Sequence, residues 1–507
     1  MAHGVWADVP AAEASMTDGP AMIDPTVRAL IVEAESAYTR CDWASALTAY
    51  RALLAWQPDL AQPLLLPLAI SHCEIELDGS AESCARAPQP QGGDMERVRS
   101  TVLQVRALAL ARERDTTRAS NLLRLLASYD AQFSDIYARD IYGGGSAGLA
   151  LGPLDDRPPP ATASLPDDAA IARLKSRTAG VRVLLIVRRF FQNLPTRQYL
   201  YADDLMRSAA RFGLAAREIN SYTPPPGVDQ ADYPDALQAA ITAWRPQLIV
   251  FEDLFERGLS ALPALRERIG AVLEEARRAG GVRVVKLLPD GWLPAADSIY
   301  RGLGMHFDLV NHLHPTRLPQ AAARELAATF CYPFPFDNPP PTVPFGTIPR
   351  VCFVGSINTE CPARVAWWAE AARIGIPLDV FLTDHAAADQ RSDQDYVNLL
   401  CGYQVSVNFT RRHTGVRIAT GRGFETLLAG GLLLEEDSAD TRYFLKPGAH
   451  YVGFDNLTDL KQATTALLAD PALRHRIAHD GHAWVEKYFT GDHFWAGLLS
   501  RLEIDRV

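Results

Sequence analysis

The stretch VSVNFTRRHTGVRIATGRGFETLLAGGLLLEE, residues 405–436, decides the fold of this chain. Apolar residues alternate over 405–409 and predict a buried strand that ends at Thr410. The segment RRHTG, residues 411–415, follows at the carboxyl end of that strand, and a helix is predicted over 424–429. Two glycines end the helix, and the apolar run LLL begins a second buried strand. A strand, a loop, a helix and a further strand in this order indicate a parallel α/β sheet.

The loop and the start of the helix carry the groups that favour a nucleotide. Ligands of open α/β sheets lie at the carboxyl ends of the strands. Arginines and helix N-termini both favour phosphate, and the stretch contains Arg411, Arg412 and Arg422. Glu425, one turn inside the helix, is placed to accept hydrogen bonds from ribose hydroxyls. The stretch therefore indicates a nucleoside-diphosphate site, with a solvated loop beside a surface helix as the open alternative.

The composition is that of an ordinary globular protein. The 507 residues correspond to about two to four domains, and 48% of them are hydrophobic while 22% are charged. The net charge of −10 argues against a nucleic-acid-binding protein, because phosphate backbones need a concentrated basic face. The seven cysteines are odd in number and free of CxxC spacing, which favours free thiols in a reducing compartment.

Neither a membrane span nor a secretion signal is predicted. No run approaches the roughly 18 apolar residues that a span needs. Residues 1–20 lack a basic start and an apolar core, so we expect a disordered N-terminus rather than a signal peptide. These features predict a cytoplasmic protein.

Segments rich in glycine and proline divide the chain into three parts. GGGSAG and LDDRPPPATASLP mark one boundary, and YPFPFDNPPPTVPFGTIP marks the other. The predicted order is a helical domain over 21–142, a linker over 143–180, an α/β domain over 181–335, a proline-rich linker over 336–349 and a second α/β domain over 350–507.

The helical domain has one well-marked hairpin. In WASALTAYRALLAWQPD, residues 43–59, the apolar side chains fall at helical spacing and Pro58 ends the helix. A preceding helix, the small Ala46 at the close contact and the terminal proline resemble a tetratricopeptide repeat. A plain helical bundle remains the alternative, because only one unit carries the fuller signature.

An ordered series of motifs in the last third resembles a known family. These are FVGS at 353–356, PAR at 362–364, GRGFETLLAGGLLL at 421–434, FLKPGAHYVGF at 444–454 and DLKQATTALLADPALRHRIAHDGHAWVEKYFT at 459–490. The series resembles the carboxyl half of the group 1 glycosyltransferases, in particular the branch similar to spore-maturation glycosyltransferases. The resemblance covers about 350–502 well, and 181–335 only in plan. It implies a GT-B fold of two Rossmann-like domains, here preceded by an all-α, helical-repeat-like domain.

The resemblance also implies a donor site for a nucleotide-sugar. The leaving group is a nucleoside diphosphate, and fixed cations with backbone N–H groups would stabilise its developing charge without a metal ion or a bound cofactor. The donor-binding residues that it implies are Gly355, Ser356, Arg364, Arg411, Arg412, Thr414, Arg422, Gly423 and Glu425. Many members carry a second glutamate eight positions before the ribose-binding one, where this chain has Arg417. That departure leaves the stereochemistry, and activity itself, open.

The catalytic candidates lie at predicted strand ends. They are Asp290, His314 and Arg422, with Glu252, Asp253 and His312 as further possibilities for a general base. Asp290 in LLPDGW can equally be a turn or helix-capping residue. His312 and His314 lie at alternate positions without a third ligand in view, which argues against a metal site. Phe190, Phe191 and Arg197 are expected to line the acceptor cleft.

Two functions follow from these patterns. The first is a glycosyltransferase whose acceptor, a protein or peptide, is recruited by the helical domain, since helical repeats form concave peptide-binding surfaces. Glycan, lipid-linked and small-molecule acceptors stay open. The second is an inactive scaffold or sugar-nucleotide sensor that acts through the helical repeats. A sugar-nucleotide epimerase is a third possibility within enzymes.

Overall fold

The structure is a computed structural model, and it describes the chain in segments. These are residues 25–40, 42–56, 58, 66–78, 103–104, 106–107, 110, 115–128, 130, 134–143, 151–153, 155–188, 190–191, 194–198, 200–221, 228–252, 263–288, 307–317, 328–355, 362–382, 391–411 and 416–504.

The described helices and strands alternate over most of the chain. The helices are α1 (Pro25–Thr39), α2 (Trp43–Trp56), α3 (Leu66–Asp78), α4 (Thr116–Ala127), α5 (Asp168–Thr178), α6 (Leu200–Phe212), α7 (Tyr233–Trp244), α8 (Pro263–Gly280), α9 (Pro362–Arg373), α10 (Asp393–Gly402), α11 (Gly421–Leu428), α12 (Ala439–Phe444), α13 (Leu457–Ala469), α14 (Pro471–Tyr488) and α15 (Gly491–Leu502). The strands are β1 (Arg182–Val187), β2 (Phe190–Phe191), β3 (Leu194–Gln198), β4 (Ala215–Asn220), β5 (Leu248–Glu252), β6 (Arg283–Leu288), β7 (Leu309–His312), β8 (Ala328–Cys331), β9 (Ile348–Gly355), β10 (Leu378–Leu382), β11 (Tyr403–Asn408), β12 (Leu433–Glu436) and β13 (Val452–Phe454).

Two parallel sheets form the centre of the molecule, as the alternating pattern predicts. The first has the order β4-β1-β5-β6-β7-β8, and the second has the order β10-β9-β11-β12-β13. Strands such as β1, with the sequence RVLLIV, are buried on both faces because helices cover both sides of a parallel sheet. The predicted pair of α/β domains is therefore confirmed.

The helical hairpin at the start of the chain is present. Helices α1, α2 and α3 share one core, in which Ala46, Tyr50 and Leu53 of α2 are buried. The side chain of Tyr38 packs edge-on against the ring of Tyr50. These contacts explain the apolar spacing that the sequence shows in α2.

The following helical segment packs on the second sheet domain. Helix α4 and a π-helix at Ile136–Ile141 bury their apolar side chains in the core that holds α9 and the second sheet. Glu370 of α9 is fully buried and binds Arg124 of α4 through both carboxylate oxygens, at 2.8 and 2.9 Å. The described residues between Leu103 and Ile141 thus share a core with the carboxyl part of the chain, from which sequence patterning separates them.

The segment 143–180, read from sequence as a linker, contains helix α5. Asp167 begins the helix by accepting a hydrogen bond from the backbone N–H of Ala170 at 2.7 Å. Lys175 of α5 forms a 2.6 Å ion pair with Asp492 of α15. The prolines that suggested a linker all precede the N-cap, so they do not interrupt the helix.

The last helix of the chain returns to the first sheet domain. The indole Nε1–H of Trp495 in α15 donates a 3.0 Å hydrogen bond to Ser208 of α6. Gly497 lies against the ring of Phe330 in β8, where a Cβ atom would come within 2.5 Å of the ring. Helix α15 therefore belongs to the core of the first sheet. No described helix is long and apolar enough to cross a membrane.

Candidate functional site

The carboxyl edge of the second sheet brings several of the predicted residues together. Strand β9 ends at Gly355, β11 ends at Asn408, and α11 begins at Gly421 above them. The eight residues of α11, GRGFETLL, place Phe424 and Leu427 toward the core, while Arg422 and Glu425 stay partly exposed. Gly423, also predicted, is buried in the first turn of the helix. The edge therefore presents Arg422 and Glu425 beside the end of β9.

Arg422 lies across the end of β9. Its guanidinium is 5.3 Å from the centre of the Phe353 ring, and its Nη1 donates a 3.2 Å hydrogen bond to Oδ1 of Asn408. A Cβ atom at Gly355 would lie only 2.7 to 2.9 Å from the guanidinium, so any larger residue there would displace the arginine from this position. The buried Nε of Arg422 has no hydrogen-bond partner. A cation with an unsatisfied donor at this edge suits an anionic ligand.

Asn408 connects Arg422 to a buried carboxyl group. Its Nδ2 donates to Oε2 of Glu435 at 2.7 Å and to the hydroxyl of Thr420 at 2.8 Å. Thr441 donates to the other oxygen of Glu435 at 3.1 Å. Burial raises the pKa of Glu435 to about 8, despite these hydrogen bonds. Glu435 is therefore largely protonated at neutral pH, when it can donate its proton to the Thr441 hydroxyl.

Glu425 is held by a tyrosine and faces the first domain. The buried hydroxyl of Tyr396 donates a 2.7 Å hydrogen bond to Oε2 of Glu425. Burial raises the pKa of Glu425 above its ordinary value, against the hydrogen bond from Tyr396 and the charge of Arg422. Asp204, on α6, is also buried, and burial together with the charge of Glu425 raises its pKa to about 7 against the opposing charge of Arg207. The charge of Glu425 thus acts on a carboxyl group of the first domain.

Arg411 and Arg417 are paired with carboxylates beside the same edge. Buried Glu436 accepts hydrogen bonds from the backbone N–H groups of Thr410 and Arg411, both at 2.9 Å, and from Nε of Arg411 at 2.9 Å. Arg417 contacts Glu436 at 3.4 Å and donates to the carboxylate and the carbonyl of Asp455. Arg417, at the position where the resemblance implies a glutamate, therefore connects the residues before α11 to β12 and to Asp455 after β13.

The remaining predicted donor-site residues have different placements. Arg364 is buried at the start of α9, where its Nε donates a 3.3 Å hydrogen bond to the carbonyl of Phe409, next to the strand end. Five predicted residues lie outside the described part of the chain, namely Asp253, Asp290, Ser356, Arg412 and Thr414. The backbone of 190–198 forms the two-stranded sheet of β2 and β3, and the side chains expected to line a cleft there are also outside the description.

His314 lies between the two sheets. Its Nδ1 is 3.4 Å from Oδ2 of Asp440 in α12, and the side chains of both residues are 1% exposed. Asp440 also accepts a 3.1 Å hydrogen bond from the backbone N–H of Thr316. Burial and the neighbouring His314 lower the pKa of His312 to about 4, so His312 is neutral at pH 7. This geometry joins the edge of the first sheet to the second domain. Within the described segments, no three histidine, cysteine or acidic side chains are grouped to hold a metal ion.

Sequence patterning missed Asn408, Glu435 and Tyr396. An amide at the end of the apolar strand VSVN, and a carboxylate at the end of LLLEE, are both polar groups in strands that the pattern buries. A buried polar group needs a partner, and register pairs these two residues directly across β11 and β12. That signal was present in the sequence. Tyr396 has no such signal, because its partner lies on another helix.

Comparison with known proteins adds a family for the carboxyl part. Residues 352–500 match the family described as Glycosyl transferase-like. The chain therefore carries a glycosyl transferase-like domain, which includes Gly355, Asn408, Arg422 and Glu425. No curated protein matches the chain in sequence.

Solved structures show a weaker likeness. The chain is similar to sucrose-phosphate synthase from Thermosynechococcus elongatus, at 11% identity and a TM-score of 0.45, over 64% of this chain and 100% of that one. It is also similar to HepE from Anabaena in complex with UDP and glucose, at 11% identity and a TM-score of 0.43, over the same shares. Likenesses of this size say nothing about the substrate of this chain.

Proposed function

We propose that this protein is a GT-B glycosyltransferase of the group 1 type that moves a sugar from a nucleotide donor to an acceptor. The observation that carries the proposal is the position of Arg422 inside the glycosyl transferase-like domain. Its guanidinium lies against Gly355 at the carboxyl edge of the sheet, with a buried Nε that lacks a partner. Such an edge is where parallel α/β sheets bind ligands.

The chemistry required at this edge is stabilisation of a leaving diphosphate. Negative charge builds on the diphosphate as the glycosidic bond breaks, and a fixed cation lowers the energy of that transition state. Arg422 would supply the charge, while the Gly355 backbone leaves room for the phosphates. Glu425 would accept hydrogen bonds from the ribose, in exchange for its bond from Tyr396. We propose that this chemistry needs neither a metal ion nor a bound cofactor.

We propose a protein or peptide as the acceptor, bound by the helices at the start of the chain. Helices α1 to α3 share one core, and Trp56 at the end of α2 is exposed. We propose that they act as a tetratricopeptide-like unit, since such helical repeats form peptide-binding surfaces. We place the protein in the cytoplasm, since the four cysteines of the described part are all free thiols: Cys73, Cys331, Cys352 and Cys401.

The donor site is tested by calorimetric titration of the full chain with UDP, GDP, ADP and dTDP. At least one should bind, and Arg422→Ala should weaken it about tenfold or more, as expected for the loss of a charged hydrogen bond. Arg350→Ala is the matched control, because Arg350 pairs with Asp379 near the opposite end of the same strand. Failure of every diphosphate to bind the wild type would overturn the proposed function. Unchanged affinity in Arg422→Ala would overturn the site.

A sugar-nucleotide sensor without transfer is the second candidate. Arg417 stands where many group 1 enzymes have a glutamate, and its contacts with Glu436 and Asp455 give it a structural role. The two candidates differ in turnover. Slow hydrolysis of the bound sugar nucleotide, followed by product analysis, supports the transferase, whereas tight binding without any hydrolysis or transfer supports the sensor.

A further inference from the structure

The amide of Asn408 has only one orientation that its surroundings satisfy. The side chain is fully buried at the end of β11, and Nδ2 faces two acceptors, Oε2 of Glu435 and Oγ1 of Thr420. Its Oδ1 then faces Nη1 of Arg422 at 3.2 Å. A flipped amide would set its NH₂ group against the guanidinium, donor against donor. The carbonyl of Asn408 is therefore directed at Arg422.

Arg422 has a competing partner that it does not reach. Glu425 lies three residues further along α11, a spacing at which arginine and glutamate form ion pairs on a helix. These two described residues form no ion pair within 4.0 Å, because Glu425 is held by Tyr396 and Arg422 is turned toward the strand end. Without the Asn408 carbonyl, the guanidinium would be released to swing toward Glu425, away from Gly355.

A neutral partner also preserves the charge of Arg422. A carboxylate at position 408 would hold the guanidinium in the same place but would neutralise it, leaving less attraction for a phosphate group. An amide orients the arginine and leaves its full positive charge available. The amide thus suits a site that must present a positive charge.

We propose that Asn408 is a positioning residue of the diphosphate site, which holds the guanidinium of Arg422 over Gly355 and away from Glu425. This inference rests on the proposed function, in which Arg422 binds the donor diphosphate. Asn408 itself touches no phosphate and acts only through Arg422. Glu435 fixes the amide from the other side, and its burial raises its pKa to about 8, which keeps this neighbour largely uncharged at neutral pH.

A double-mutant cycle tests the inference on the full chain. Calorimetry measures the affinity of Asn408→Ala, Arg422→Ala and the double variant for the nucleoside diphosphate that binds the wild type best. Asn408→Ala should weaken binding about tenfold in the wild-type background and less than about twofold in the Arg422→Ala background, because the effect passes through the arginine. An equal loss in both backgrounds would mean a merely structural role and would overturn the proposal.

Two further variants separate positioning from folding. Asn311→Ala is the matched control: Asn311 is another fully buried asparagine, which donates to the carbonyls of Phe330 and Tyr332 in the first sheet. It should lower the melting temperature without changing diphosphate affinity. Asn408→Asp keeps the shape of the side chain but sets a carboxylate against the guanidinium, and its diphosphate affinity should fall about tenfold at pH 7.

The outcomes distinguish this inference from the proposed function. Diphosphate binding that needs Arg422 but is unaffected by either Asn408 variant overturns the positioning role and leaves the donor site intact. A wild type that binds no diphosphate overturns both. Wild-type affinity in Asn408→Asp also counts against the proposal, since the guanidinium would then not depend on a neutral partner.

Discussion

Replacement of Glu370 by glutamine should weaken the packing of α4 on the second sheet domain. Glu370 of α9 is fully buried and accepts hydrogen bonds from Ser120 at 2.6 Å, from Arg124 at 2.8 and 2.9 Å, from Arg373 at 2.7 Å and from the hydroxyl of Tyr142. Each carboxylate oxygen binds an arginine. In Glu370→Gln, whichever oxygen becomes an NH₂ group, one guanidinium faces a donor instead of an acceptor.

The size of the effect follows from the burial of the pair. Breaking a buried ion pair from one side costs about 3–5 kcal/mol, because a charge is left without its partner. The side chains of Arg124 and Arg373 are 37% and 40% exposed, so water can solvate them in part. We therefore expect a loss of about 3 kcal/mol in the free energy of unfolding at pH 7. Glu74→Gln, which removes the exposed pair with Arg51, should cost below about 1 kcal/mol.

The loss should also depend on pH. Burial favours the protonated form of Glu370, but hydrogen bonds from Arg124, Ser120 and the other donors outweigh it and lower the pKa. A carboxyl group with a lowered pKa contributes stability above its unfolded pKa of about 4.5, and this is lost as pH falls through the folded pKa. Urea unfolding of the wild type and of Glu370→Gln should therefore show a difference in the free energy of unfolding at pH 7 that becomes smaller toward pH 3.

Hydrogen exchange locates the effect. In Glu370→Gln the amides of α4 should exchange faster, while those of α7 in the first sheet domain should not change. A loss below about 1 kcal/mol together with unchanged exchange in α4 would refute the reasoning, because the buried carboxylate would then not hold the two elements together.

Three further predictions concern other buried groups. Relative to the wild type, Glu435→Gln should become more stable as pH rises from about 5 to 8, by at most about 5 kcal/mol in the free energy of unfolding measured with urea. The raised pKa of Glu435 means that ionisation of this carboxyl group destabilises the folded wild type. Glutamine stays neutral and keeps the hydrogen bonds of the protonated form. Asp204→Asn should likewise become more stable than the wild type as pH rises from about 4 to 7, by at most about 4 kcal/mol in the free energy of unfolding. A gain in stability that does not change with pH would contradict this prediction. Gly448→Ala should have a melting temperature well below that of Gly430→Ala. Both glycines have positive φ, but only a Cβ atom at Gly448 would collide with the carbonyl of Gly152. Equal melting temperatures would show that the backbone at Gly152 shifts to make room.

The sheets could be predicted from the sequence because their signal is local. Runs such as RVLLIV and RVCFVG are free of polar residues after their first arginine, as is typical of strands buried in a parallel sheet, and segments with helical spacing separate them. The placement of α4 on α9 has no such local signal. Glu370 and Arg124 are 246 positions apart, and the periodicity of neither helix indicates which other helix it packs against. Helix α5 could not be predicted for a different reason. The glycines and prolines before it dominate the composition of 143–180 and indicate a linker.

The positions of Arg422 and Glu425 could be predicted from the sequence, but the orientation of their side chains could not. Arg422 and Glu425 follow from the helix start after a strand end, and the structure places both at that edge. The sequence does not show which of the arginines form ion pairs with carboxylates in the folded protein. Arg411 and Arg417 are bound to Glu436 and Asp455, so three arginines that look equivalent in the sequence differ in the structure.

The shared core changes how the helical part can be connected with function. A chain that began at residue 181 would lose α4, whose Leu122 and Leu126 are fully buried with Trp367 of α9 in one core. It would also lose Gly152, which lies against Gly448, and α5, whose Lys175 pairs with Asp492 of α15. Loss of activity in such a chain would report on the stability of the second sheet domain rather than on acceptor binding. If the protein is the transferase proposed above, its acceptor is therefore better sought through exposed side chains of α1 to α3, where a substitution leaves the core of the second sheet domain intact.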